Sequence, residues 1–121
     1  MDPSFVPAHV FLGDLNLRSG EYEAALRSYQ RARDLDGRDI DAVEGVGQSL
    51  IRLKRFSQAL TELKKFVADY PEDAELYLQL SQVYGRLGNI QEAQQARTTF
   101  EKLHAKEVEM KDSQRPRTFS P

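Results

Sequence analysis

The sequence predicts an all-α protein: a solenoid of three stacked helix-turn-helix units, with a long last helix and an extended C-terminal tail. Three observations carry this. Residues recur at a fixed step of 34, as in Gly13 and Gly47, Ala25, Ala59 and Ala93, Leu12, Val46 and Leu80, Leu26 and Leu60, and the loop positions Gly37 and Pro71; such a period is the signature of a repeat architecture. Each unit holds two amphipathic stretches with apolar residues at helical spacing. No stretch alternates with period two, so no strand is expected.

The units run over 6–39, 40–73 and 74–107, behind a short lead of residues 1–5. In the first, Ser19-Gly20-Glu21 separates the two helices and Asp36-Gly37 ends the second. Asp39 can then cap the third helix, in which Val43, Val46, Leu50 and Leu53 share a face. Lys54-Arg55 forms the next break, and Phe56, Ala59, Leu60, Leu63, Phe66 and Val67 mark the fourth helix. Tyr70-Pro71 stops it, and Asp73 can cap the fifth. After Gly88-Asn89, no Pro or Gly interrupts the chain from Ile90 to about Lys111, so the sixth helix is expected to run long, leaving Phe100, Leu103 and Met110 partly exposed. The repeat domain then spans 6–111, and residues 112–121 are expected to form a flexible tail.

At 121 residues the chain has room for one sizeable core. Its 17 Lys+Arg against 19 Asp+Glu give a net charge of −2, without the strong basic field on which most nucleic-acid binders rely. That balance averages two halves: residues 1–75 carry 14 acidic and 10 basic side chains, residues 76–121 five and seven. The absence of cysteine excludes disulfides, Cys-ligated zinc, iron–sulfur clusters and thiol catalysis. No apolar run approaches the ~20 residues of a membrane span, and the start MDPSFVPAHVFLG lacks a basic segment followed by an apolar one, so a cytoplasmic protein without membrane contact is expected.

Within this register, Leu12-Gly13, Gly20 with Tyr22, Ala25-Leu26, Tyr29, Ala32 and Leu35-Asp36 resemble the tetratricopeptide repeat, as do Gly47, Phe56, Ala59, Leu60 and Pro71 of the second unit. The resemblance covers residues 6–107 and implies a right-handed solenoid acting as a protein-interaction scaffold. Gly13, Ala25, Ala32, Gly47, Ala59, Phe66, Ser81, Ala93 and Phe100 take the repeat-packing positions, where a bulky side chain wedges helices apart. Phe66 and Phe100 stand where the family prefers alanine, Ser81 where it prefers glycine, and Arg97 where it uses a large apolar residue. Such a last unit has the character of a cap facing water. Gly47 has a packing reason. Gly45 has none in the sequence and reads as a tolerated defect, or as a place where a ligand backbone approaches.

The resemblance further implies that the first helix of each pair lines a concave groove through its second, fifth, ninth and twelfth positions: Pro7, Val10, Asp14 and Leu17, then Asp41, Glu44, Gln48 and Ile51, then Glu75, Leu78, Gln82 and Gly85. The expected surface is four acids among aliphatics, with Arg52 and Arg86 at the rim. It suits a basic or amphipathic peptide or partner helix. Val10, Asp14, Glu44, Gly45, Glu75 and Gln79 occupy the positions with which relatives clamp chaperone C-terminal carboxylates, so such tails are disfavoured.

Catalytic chemistry is not expected. His9 and His104 fall in the first and last helices, one as a packing residue and the other solvated; Asp34, Asp36, Asp39 and Asp41 lack calcium-loop spacing and read as helix stops and caps. Gly45-Val46-Gly47 is mid-helix, not a phosphate loop. Tyr22, Tyr29, Phe56 and Phe66 read as core. No cofactor or metal is expected. The alternative to a binding scaffold is a self-associating module, or a fragment of a longer array, that oligomerises through the last helix or through the tail, whose Arg115, Arg117 and Phe119 share the chemistry of the groove's ligand. Ser120-Pro121 is a weak phosphorylation signal.

Overall fold

The structure, a computed structural model, describes residues 5–114. Six α-helices follow in antiparallel pairs: α1 (Val6–Arg18) with α2 (Tyr22–Leu35), α3 (Ile40–Arg52) with α4 (Phe56–Asp69), and α5 (Ala74–Arg86) with α6 (Ile90–Gln114). The described residues contain no strand, and the all-α solenoid follows the sequence reading. Successive first helices touch, α1 on α3 and α3 on α5, while α2 and α4 meet only through long side chains such as Arg33 and Glu62. The stack therefore curves with α1, α3 and α5 inside. Because α6 continues to Gln114, residues 112–114, expected in the tail, are helical. Arg115, Arg117, Phe119 and Ser120-Pro121 lie outside the described residues.

The turns inside the pairs repeat one solution. The amides of Glu21, Arg55 and Asn89 donate back to the carbonyls of Asn16, Leu50 and Tyr84 at 2.8, 2.9 and 2.8 Å, a helix C-cap that requires a left-handed residue just before the donor. Gly20 and Gly88 supply it with φ of 79° and 82°. In the middle pair Lys54 takes the same position with φ of 59°, a conformation strained for a residue with a Cβ.

Caps between the pairs differ. Asp39 accepts a hydrogen bond from the Ala42 amide at 3.0 Å and caps α3 as its sequence position suggested. Asp73, its counterpart 34 residues on, makes no such bond to α5; its carboxyl faces Glu44 instead.

The core is a continuous seam between helices. Gly13, Ala25, Ala32, Gly47, Ala59 and Phe66 are buried, while Ser81, Ala93 and Phe100 in the last pair are half-buried. The Tyr29 ring explains both Gly13 and Gly45. A Cβ on Gly13 would lie 2.7 Å from that ring, and one on Gly45 would lie 2.3 Å from it. Tyr29 is thus sandwiched between the backbones of α1 and α3. Gly45 is neither a tolerated defect nor a site of ligand approach, because its missing side chain is the space the ring occupies. Gly47 makes room in the same way for the Gln79 side chain of α5.

Candidate functional site

The inner face carries two adjoining cavities that share Glu75. One, of about 540 Å³, spans the C-terminal halves of α3 and α5 and the starts of α2 and α4; Gln48, Ile51, Arg52, Lys54, Gln79, Gln82 and Arg86 line it with Tyr22 and Phe56. Here the expected rim residues move inward. The Arg52 guanidinium lies 6.0 Å from the Tyr22 ring centre and that of Arg86 lies 5.8 Å from Phe56, cation–π distances that hold each cation against the preceding pair. Arg18, Arg52 and Arg86 keep the step of 34, a sequence signal that could have placed the basic stripe. Tyr22 and Phe56 are half-buried wall residues of this cavity rather than pure core, whereas Tyr29 and Phe66 are fully packed.

The second cavity, of about 340 Å³, lies at the N-terminal ends of α3 and α5, where Glu44, Asp73 and Glu75 meet Ala74, Leu78, Phe100, His104 and Glu107. Acids gather here for a local reason: the N-terminal ends of helices favour negative charge. Packing then makes them crowd. Burial, followed by a hydrogen bond to Asp73 and the charges of Asp73, Glu75 and Asp41, pushes the Glu44 carboxyl up to about 8. Among the described residues, no main-chain or side-chain donor reaches the buried Asp73 Oδ2. Burial also raises Glu75, partly offset by a hydrogen bond from Gln79.

Of the expected groove residues, Gln48, Ile51, Glu75 and Gln82 line the first cavity, and Glu44, Glu75 and Leu78 the second. Val10, Asp14, Leu17 and Asp41 line neither. Val10 and Leu17 are half-buried against the core, and Asp14 accepts a hydrogen bond from the Tyr29 hydroxyl, which burial and this carboxylate push well above its ordinary value. Gly45 and Gln79, two of the positions that clamp carboxylates in relatives, are buried in the seam. Sequence reasoning did not place Lys54 in the first cavity, nor Asp73, His104 and Glu107 in the second.

His9 and His104 lie on helices that do not touch. His104 stacks on Phe100 with ring centres 5.4 Å apart. Among the described residues, no group of His, Asp or Glu is placed to hold a metal ion, and no helix is long and apolar enough to cross a membrane.

Comparison with known proteins agrees with this geometry. Models of the tetratricopeptide repeat match residues 16–75 and 62–95. A protein STIP1 homolog of Dictyostelium discoideum is 34% identical over 79 residues, 65% of this chain; the aligned part is 14% of that relative's length. Among solved structures, the Yersinia enterocolitica type III secretion translocator chaperone SycD superposes with a TM-score of 0.80 over 88% of this chain and 81% of its own, at 19% identity. The first TPR domain of human RPAP3 gives 0.78 over 84% and 80%, at 20% identity.

Proposed function

The chain belongs to the tetratricopeptide repeat family, and we propose that it is a non-catalytic scaffold whose inner face takes an extended or helical peptide segment bearing Lys or Arg beside apolar side chains. A role in protein–protein interaction is what the family and fold support in general. The observation that supports the finer reading is the crowding of Asp41, Glu44, Asp73 and Glu75 next to Leu78 and Phe100. A ligand cation set among them relieves their mutual repulsion, and the neighbouring apolar surface takes the aliphatic stem or the next side chain. At the other end, Arg52, Lys54 and Arg86 suit an acidic side chain or peptide carbonyls. The favoured segment is therefore polar in a fixed direction, with its basic residue toward the starts of α3 and α5. A carboxylate terminus is disfavoured at the acidic end and fits only beside the arginines.

The test titrates basic–apolar peptides, and controls ending in clustered carboxylates, against the wild type and an Asp41→Lys/Glu75→Lys variant. Both substituted side chains are exposed, so the fold is retained. The wild type should prefer the basic peptides, and the variant should bind them at least about tenfold more weakly. Equal binding by the two proteins overturns the groove assignment.

A further inference from the structure

The two outer ends of the stack have opposite chemistry. Register comparison shows it best on α1. Ala8, Phe11, Leu12 and Leu15 correspond at steps of 34 to Ala42, Gly45, Val46 and Ser49 of α3, and to Leu76, Gln79, Leu80 and Val83 of α5. In α3 and α5 this face receives the preceding helix pair, and every one of those residues is buried. In α1 none of the described residues covers it: Phe11 is 61% exposed, Leu12 43% and Leu15 42%, with Phe5 also exposed. The uncovered face is nonetheless more apolar than its buried counterparts. Water does not explain a Phe and two Leu at positions where the interior pairs use Gly or Gln, Val or Leu, and Ser or Val.

The opposite end is finished differently. Leu26 and Leu60, buried or half-buried in the seams, give way in the register to exposed Gln94, and Tyr29 and Leu63 to exposed Arg97, which pairs with Glu101 at 3.4 Å. Stacking α6 of one molecule on α1 of another would bury this ion pair against Phe and Leu, so open head-to-tail growth is disfavoured. A preceding pair packed as α2 is on α3 does not fit there, because Phe11 stands where Gly45 leaves room for the Tyr29 ring.

We infer that the outer face of α1 is a self-association surface, on which a second copy of this chain docks its own α1 about a two-fold axis. Charge favours this occupant. A two-fold contact sets a patch against its own kind, and Ala8, Phe11, Leu12 and Leu15 carry no charge to repel. Arg18 stands at the far end of the stripe, so an antiparallel mate holds the two arginines apart. With the axis near Phe11 and Leu12, small Ala8 faces Leu15 of the other copy. The exposed side chains amount to on the order of 350 Å² per copy, less than half of a standard interface, so the dimer is concentration-dependent. It leaves the inner face free, and so stands independently of the peptide-binding reading.

The experiment follows the mass of the full chain by sedimentation equilibrium from about 1 to about 500 μM. The wild type should pass from monomer to dimer and stop there, and Phe11→Glu should remain monomeric with unchanged helical circular dichroism. Since the chain lacks cysteine, single introduced thiols report the geometry: oxidised Leu12→Cys should give a covalent dimer, and Gln94→Cys should not. A wild type that stays monomeric throughout, a dimer indifferent to Phe11→Glu, cross-linking through Gln94→Cys instead, or growth beyond two copies each overturns the inference.

Discussion

The two seams of the stack occupy the same register and are built from opposite materials. Between the first and second pairs, an aromatic ring is clamped by two glycine backbones and its hydroxyl is anchored on Asp14. Between the second and third, the Gln79 amide takes the corresponding space: its Nε2 donates to the Glu44 carbonyl at 3.0 Å, while its buried Oε1 finds no donor. Beside it the Glu44 carboxyl is crowded against that of Asp73, and burial with this contact pushes Glu44 up to about 8. A 34-residue repeat thus fixes where helices meet without fixing how the meeting is filled. The ring-filled seam is dense; the amide-and-carboxyl seam is adaptable and borders the candidate groove.

The largest expected effect tests that density. Gly45→Ala drives a methyl into a ring that cannot retreat, because Gly13 closes its other side, and should cost roughly 3 kcal/mol. Gly47→Ala meets the far end of a flexible Gln79 side chain and should cost about half as much. Thermal or urea unfolding of both variants measures the ratio; equal losses would show the seams to be equally rigid.

Next comes pH. Glu44 titrates at about 8 when folded against 4.5 as an ordinary glutamate, so the folded chain retains a proton that the unfolded chain has released. The stabilisation is complete below about 4.5 and is lost as pH rises through about 8. Melting temperature should therefore fall between pH 5 and pH 9, and Glu44→Gln, which keeps a donor for Asp73, should flatten that fall and melt higher than wild type at the alkaline end. A profile unchanged by Glu44→Gln would show that Glu44 is not the group behind this fall.

Smaller effects refine the picture. Tyr29→Phe keeps the ring and loses only the bond to Asp14, and should cost about 1 kcal/mol with no new pH dependence. Lys54→Gly should gain roughly 0.5–1 kcal/mol, since glycine adopts the left-handed turn without strain. Chemical denaturation resolves both. The Lys54 result has a second use, because that residue also lines the larger cavity: a gain in stability accompanied by weaker peptide binding would mean that turn strain is retained for the site.

Much of the architecture was legible because it is local and periodic. Helix faces, turns and the small packing residues all follow from the step of 34, and Gly20 and Gly88 even predict the left-handed turn at Lys54. The meaning of Gly45 was not legible, since the ring that requires it belongs to the preceding pair. Asp73 holds the same repeat position as Asp39, yet it makes no cap and faces a carboxyl 29 residues away on another helix. Arg52 and Arg86 were visible as residues, but their position inside the cavity depends on Tyr22 and Phe56 reaching across from the pair before.

By itself, then, the sequence determined the repeat, the six helices and the family, because helical periodicity and turn chemistry act over a few residues. Tertiary structure alone decided which acid is pushed up by its neighbours, which glycine yields to a ring, where the inner face turns from acidic to basic, and that among the described residues α1 exposes the face its counterparts bury. Those properties depend on burial and on charges brought together from different pairs, and desolvation acts only once the stack has closed.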